Sequence, residues 1–96
     1  MITFYDRSGR EIEWLDWGRL CLDESYKRVA RHVYGDVEVS TVWLGVGVWH
    51  GPDPRAWLFE TMISGGDRDG EQWRYATLRD AIRGHQRAVD YALTGA

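Results

Sequence analysis

The spacing of apolar residues changes several times along the chain, and each change predicts an element. Ile2 to Tyr5 reads as a short strand, stopped by the turn signal Asp6-Arg7-Ser8-Gly9. From about Glu11 to Leu22 the period lengthens to that of a helix. Trp14, Leu15, Trp17, Gly18, Cys21 and Leu22 fall on one side, with Glu13, Asp16 and Arg19 largely opposite. Asp23-Glu24-Ser25 breaks that pattern. Lys27–Tyr34 and Val37–Val46 then flank Gly35-Asp36, a two-residue hairpin loop with glycine first. That loop sets a register: Tyr34 opposite Val37, His32 opposite Val39, Ala30 opposite Thr41 and Arg28 opposite Trp43. This face is the more apolar and is expected to look inward; a slip of one residue would exchange the faces.

Gly47–Arg55 holds both prolines, in Gly51-Pro52-Asp53-Pro54, and reads as a loop. Ala56–Ile63 is a continuous strand-like run, Ser64–Gly70 a polar turn and Glu71–Tyr75 a last short strand. From Thr77 to about Leu93 the pattern is helical again, and Thr77 with Asp80 resembles a capping box. Leu78, Ala81, Ile82, His85, Val89, Ala92 and Leu93 form its apolar face, and Arg79, Arg83 and Arg87 a stripe on the far side. The order β-α-β-β-β-β-α predicts one α+β domain over residues 1–96. Its expected form is an antiparallel sheet of four to five strands with two helices packed on it.

Composition agrees with a folded domain. Ninety-six residues carry a net charge of −3, and six Trp, five Tyr and two Phe supply apolar surface to offset chain entropy. No apolar run reaches the roughly 18–20 residues that span a bilayer. The opening residues have neither the basic nor the apolar region of a secretory signal. A single cysteine, Cys21, excludes an internal disulfide and a multi-cysteine zinc site. The basic residues are eleven Arg and one Lys, and Asn is absent. Phosphate recognition favours Arg but does not remove Asn; AT-rich codons are shared by Lys and Asn, so a GC-rich genome accounts for both.

Several segments carry a resemblance: Phe4-Tyr5-Asp6-Arg7, Val39-Ser40-Thr41-Val42-Trp43-Leu44-Gly45, Phe59-Glu60-Thr61-Met62, and Arg74-Tyr75-Ala76-Thr77 followed by Ala81, Gly84 and His85. Together they resemble a family of small accessory proteins encoded by actinobacteriophages and their prophages. The resemblance runs over nearly the whole chain, and the Gly47–Arg55 loop departs from it. It implies a short phage protein made in the cytoplasm of the bacterial host, and brings no catalytic residues to carry over.

The motifs give little support to catalysis. Ser64, in Ile63-Ser64-Gly65-Gly66, lacks the leading glycine of a nucleophile elbow. Cys21 on an apolar helix face reads as a structural buried thiol. His50 and Asp53 lie three apart, with His85 distant, which is too few ligands for a zinc site, and no metal or cofactor is expected. Asp67-Arg68-Asp69-Gly70 starts like a calcium loop but lacks its closing Glu. Gly45-Val46-Gly47 is not followed by the helix that a dinucleotide fingerprint needs. His85 reads as a core histidine bonded to a backbone carbonyl, and His32 as an inward cross-strand partner of Val39.

The arginine stripe is partly neutralised by Asp80 and Asp90 in an acidic chain, so a solvated face is expected there and nucleic acid is not. Five tryptophans read as core. Trp49 differs, standing beside His50 at the start of the Gly/Pro loop, and Trp with a nearby Arg is a common interface anchor. Trp49, His50 and Arg55 are therefore the expected contact patch, with Arg79, Arg83 and Arg87 a secondary surface. The expectation is a non-enzymatic module that binds a host or phage protein. The alternatives are a homo-oligomer joined through a sheet edge and, behind it, an enzyme using His50 or His85.

Overall fold

The computed structural model describes residues 2–48 and 57–95. Its elements are β1 (Ile2–Tyr5), β2 (Glu11–Ile12), α1 (Trp14–Cys21), α2 (Glu24–Lys27), β3 (Arg28–Tyr34), β4 (Val37–Trp43), β5 (Val46–Val48), β6 (Phe59–Ser64), β7 (Gln72–Tyr75) and α3 (Leu78–Thr94). The chain is α+β as expected, but the strands form two antiparallel sheets, ordered β2-β1-β5 and β3-β4-β6-β7.

The central hairpin takes the expected register, with Tyr34 opposite Val37, His32 opposite Val39 and Ala30 opposite Thr41. Gly35 closes its turn at φ +59, which glycine adopts without a Cβ clash. A bulge between Arg28 and Ala30 then places Arg28 opposite Val42 instead of Trp43. Val39, Thr41 and Trp43 are buried on one face of β4, and Phe59, Thr61 and Ile63 lie beside them on β6. α3 covers that face.

The expected single strand Val37–Val46 is two strands in different sheets. Leu44 and Gly45 both donate their N–H to the carbonyl of Leu58, at 2.7 and 3.2 Å. Gly45 then turns at φ +66, where an added Cβ would overlap the Trp43 ring and sit 2.7 Å from the Tyr5 carbonyl. The chain leaves along β1, pairing Phe4 with Val46. Two indoles pin the junction: Trp43 Nε1 donates to the Tyr5 carbonyl of β1 at 3.1 Å, joining the sheets, and Trp17 Nε1 of α1 donates to the carbonyl of Leu44 between them at 3.0 Å.

The first predicted helix is shorter than its pattern. Asp6 Oδ1 accepts from the Ser8 N–H, the Ser8 hydroxyl and the Arg10 N–H. These bonds hold the carboxyl of Asp6 below its usual range. The turn so pinned brings Glu11 and Ile12 back onto β1, with Phe4 opposite Ile12. The break at Asp23-Glu24-Ser25 is itself a capped helical turn, with Asp23 Oδ1 accepting from the N–H groups of Ser25 and Tyr26. At α3 the Thr77 hydroxyl accepts from the Asp80 N–H at 3.1 Å, as the capping pattern predicts.

Two apolar clusters make the core. One joins Val39 and Ile63 to Ala88 and Val89; the other surrounds Trp43, Leu58, Phe59 and Ala81 with Tyr5, Trp17, Leu20 and Tyr26. Between them, on the same faces, lie the buried polar residues Thr41, Thr61 and His85. The apolar face of α3 is rotated from expectation: Gly84 and Ala88 are buried, whereas Ile82 and Leu93 are more than half exposed. The opposite face of the larger sheet carries two ion pairs, Arg31 with Glu38 and Arg74 with Glu60. Exposed pairs of this kind contribute about 0–1 kcal/mol, so burial on the α3 side holds the sheet.

Candidate functional site

Trp49, His50 and Arg55 lie outside the described residues. The tryptophans expected in the core separate instead. Trp43 is buried and Trp17 and Trp57 are half-buried, but Trp14 is 63% exposed and Trp73 36%. The reason at Trp14 is local: α1 contributes no fully buried residue. Its Trp17, Leu20 and Cys21 touch the core while Trp14 and Leu15 face out. Cys21, expected to be buried, is half-buried, and what burial it has pushes its thiol pKa up.

Arg79, Arg83 and Arg87 are exposed on α3, as read from the sequence. Among the described residues none of the three forms an ion pair. Arg87 also borders a groove between α3 and β7. Trp73 and Tyr75 from β7, with Gly84, Arg87, Ala88 and Tyr91 from α3, line about 320 Å³ of concave surface. The Tyr75 ring lies so close over Gly84 that an added Cβ would overlap it. At the other end Trp73 and Tyr91 meet edge to face, their centroids 5.9 Å apart at 84°. Tyr91 is fixed from two sides. Its hydroxyl donates to Glu71 Oε1 at 3.3 Å, a bond that raises its pKa, and the Arg68 guanidinium lies 4.5 Å from the ring centroid.

The apolar periodicity of α3 runs through Ile82 and Leu93 and so does not point to the groove. The signal that finds it is Gly84, Arg87, Ala88 and Tyr91, at i, i+3, i+4 and i+7. Its second wall belongs to β7, which the strand order leaves at the edge of the larger sheet.

On the opposite side of α3 a chain of hydrogen bonds leaves the core. Thr61 Oγ1 lies 2.5 Å from Thr41 Oγ1, which lies 2.7 Å from His85 Nδ1; His85 Nε2 lies 2.8 Å from His32 Nδ1. His85 is therefore a core histidine, but its partners are side chains and not the backbone carbonyl expected. Thr61 is fully buried, and among the described residues its hydroxyl has no partner other than Thr41. Only one direction leaves no buried hydroxyl proton unpaired. Thr61 donates to Thr41, Thr41 donates to His85 Nδ1, and His85 Nε2–H donates to His32 Nδ1. Burial, and then the charge His32 can carry, hold the His85 pKa down. The imidazole of His32 is exposed and stacks on Tyr34 at 6.1 Å and 6°.

Chemically the two regions differ. The histidine chain uses its inner nitrogens on each other and on Thr41, which anchors α3 to β3 and β4. No three His, Cys, Asp or Glu side chains gather closely enough among the described residues to hold a metal ion. The groove has aromatic walls and, at its rim, Arg87, which forms no ion pair among the described residues. Among the described residues no helix is long and apolar enough to cross a membrane. No family model, curated protein or solved structure matches the chain.

Proposed function

We propose that this chain is a non-enzymatic protein-binding module, a small accessory protein of phage origin that engages a host or phage protein in the bacterial cytoplasm. The observation that carries the reading is the groove between β7 and α3. Aromatic side chains and arginine are the residues most often found at the energetic centre of protein interfaces. Here Trp73, Tyr91 and Arg87 surround one concavity beside a strand that, among the described residues, ends its sheet. The phage origin rests on the resemblance of the strand and helix segments.

The exposed β3 edge favours a second reading, self-association through the sheet, since Val33 and Tyr34 are both solvent-facing. Its bulge and its arginines Arg28 and Arg31 blunt that edge against pairing. Light scattering separates the readings: a monomer at high concentration leaves the binding module, and a defined oligomer favours assembly.

The test is capture from actinobacterial and phage-infected lysates with the wild-type chain and a Trp73→Ala variant shown by circular dichroism to be folded. A stoichiometric polypeptide retained by the wild type and lost by the variant is expected. Equal retention by both overturns the groove as the surface, and no specific capture overturns the module.

A further inference from the structure

We infer that the groove takes an acidic polypeptide segment in extended form, added as a fifth strand along β7. This rests on the protein-binding reading and specifies its partner. Among the described residues β7 is bonded to β6 on one side only and ends the sheet order β3-β4-β6-β7. An edge strand presents unpaired N–H and C=O groups, and strand addition uses them while alternate side chains enter adjoining pockets. The adjoining pocket here is the groove, because Trp73 and Tyr75 face α3 from alternate positions of β7.

The spacing fits as well. α3 runs back along β7, with Gly84 at Tyr75 and Tyr91 at Trp73. Along α3 the residues Arg79, Arg83 and Arg87 repeat every four positions, about 6 Å. Side chains on one face of an extended segment repeat every two positions, about 6.6–6.8 Å. Of the three, Arg87 lines the groove, so a segment lying on β7 with a large apolar side chain in the groove directs a residue two places away toward Arg87, with Arg83 one helical turn beyond.

Although the whole chain is acidic, the groove is bordered by a cation without an ion-pair partner among the described residues, Arg87, with Arg83 one turn away on α3. Glu60 is neutralised by Arg74, while Glu71 and Asp90 are bonded to neutral donors, the Tyr91 hydroxyl and the Gln86 amide at 3.2 Å, and keep their charge. Arg79, Arg83 and Arg87 form no ion pair among the described residues, and Asp80, Asp90 and Glu71 are the carboxylates that offset them through space. Acidic residues on the incoming segment complete these pairs. A polypeptide is favoured over a nucleic acid because the edge offers main-chain hydrogen bonds, and a net charge of −3 repels a long polyanion.

The test is amide NMR of the full chain titrated with a synthetic peptide alternating Thr and Glu about one central Phe, and with the same peptide carrying Lys for Glu. Shifts are expected at Gln72–Tyr75 and along Arg83–Tyr91. The Glu peptide should bind about tenfold tighter than the Lys peptide, an advantage that salt weakens and that Arg83→Glu with Arg87→Glu removes. Equal binding of both peptides, shifts centred on Trp14 and Leu15, or tighter binding of oligothymidylate at the groove would each overturn the strand-addition proposal. Those results leave the module standing if lysate capture still depends on Trp73. Failure of the Glu peptide together with failure of capture removes both.

Discussion

His85 on α3 and His32 on β3 face each other through their ring nitrogens, Nε2 to Nδ1, at 2.8 Å. Because Thr61 and Thr41 stand behind His85 in single file, the direction of this bond is set from the buried end. Nδ1 of each ring then acts as an acceptor, from Thr41 at His85 and from His85 at His32. The chain fastens the helix to the sheet at a point where the apolar clusters on either side do not meet.

That direction makes the two threonines unequal. Thr41→Val leaves both the Thr61 hydroxyl and His85 Nδ1 buried without partners, at about 1–3 kcal/mol for each unsatisfied group. Thr61→Val removes a donor and leaves Thr41 still donating to His85, which costs about 1 kcal/mol. Denaturant melts of the two variants should rank Thr41→Val well below Thr61→Val. The reverse ranking refutes the chain itself, and nitrogen shifts placing the His85 proton on Nδ1 refute its direction.

Acid should loosen the fold through His85. Its native pKa lies below the ordinary 6.5 because burial, and next the charge of His32, disfavour the imidazolium. The unfolded chain therefore binds the proton first. The contribution is intact above pH 6.5 and is lost as pH falls from there through the native pKa. One proton gives a slope of at most about 1.4 kcal/mol per pH unit. The C2 proton of His85, followed by NMR, should titrate below the usual range; a midpoint at or above the ordinary value contradicts it.

Two glycines should respond oppositely to alanine. Gly18 lies within α1 with open space where a Cβ would stand, so Gly18→Ala should stabilise by about 0.5–1 kcal/mol. Gly45 combines φ +66 with the Trp43 ring and the Tyr5 carbonyl at the same point. Gly45→Ala should cost about 3 kcal/mol or more, from backbone strain and overpacking together. Thermal melts measure both, and a neutral Gly45→Ala would mean that the sheet junction is not fixed there.

The tryptophans divide in the same way. Trp43→Ala empties the core and should cost about 3–5 kcal/mol. Trp14→Ser, at a side chain 63% exposed, should change stability by no more than about 0.5 kcal/mol. A large loss at Trp14 would show that its ring is packed after all.

How much was legible follows the range of the interactions concerned. Alternation about Gly35-Asp36 gave the hairpin register as far as Ala30, and the Thr77 cap gave the start of α3, because both depend on neighbours within a few residues. The Asp6 turn was visible too, but not that it would carry Glu11 and Ile12 out of a helical pattern onto β1. The groove could not be read from one segment, since Trp73 and Tyr91 meet only when β7 ends the sheet and α3 rotates toward Gly84.

By itself the sequence determined the α+β class, the local turns and caps, and which strand face is buried, since side-chain period and backbone preference act over a turn or a strand. Tertiary structure alone decided that one apolar run would split between two sheets at Gly45. It also decided that His85 would meet Thr41 and His32, and that Arg87 would border a groove beside the last strand of the larger sheet. Those outcomes depend on surfaces distant in sequence coming within a few ångströms, where ring volume and unpaired polar groups leave few ways to fit.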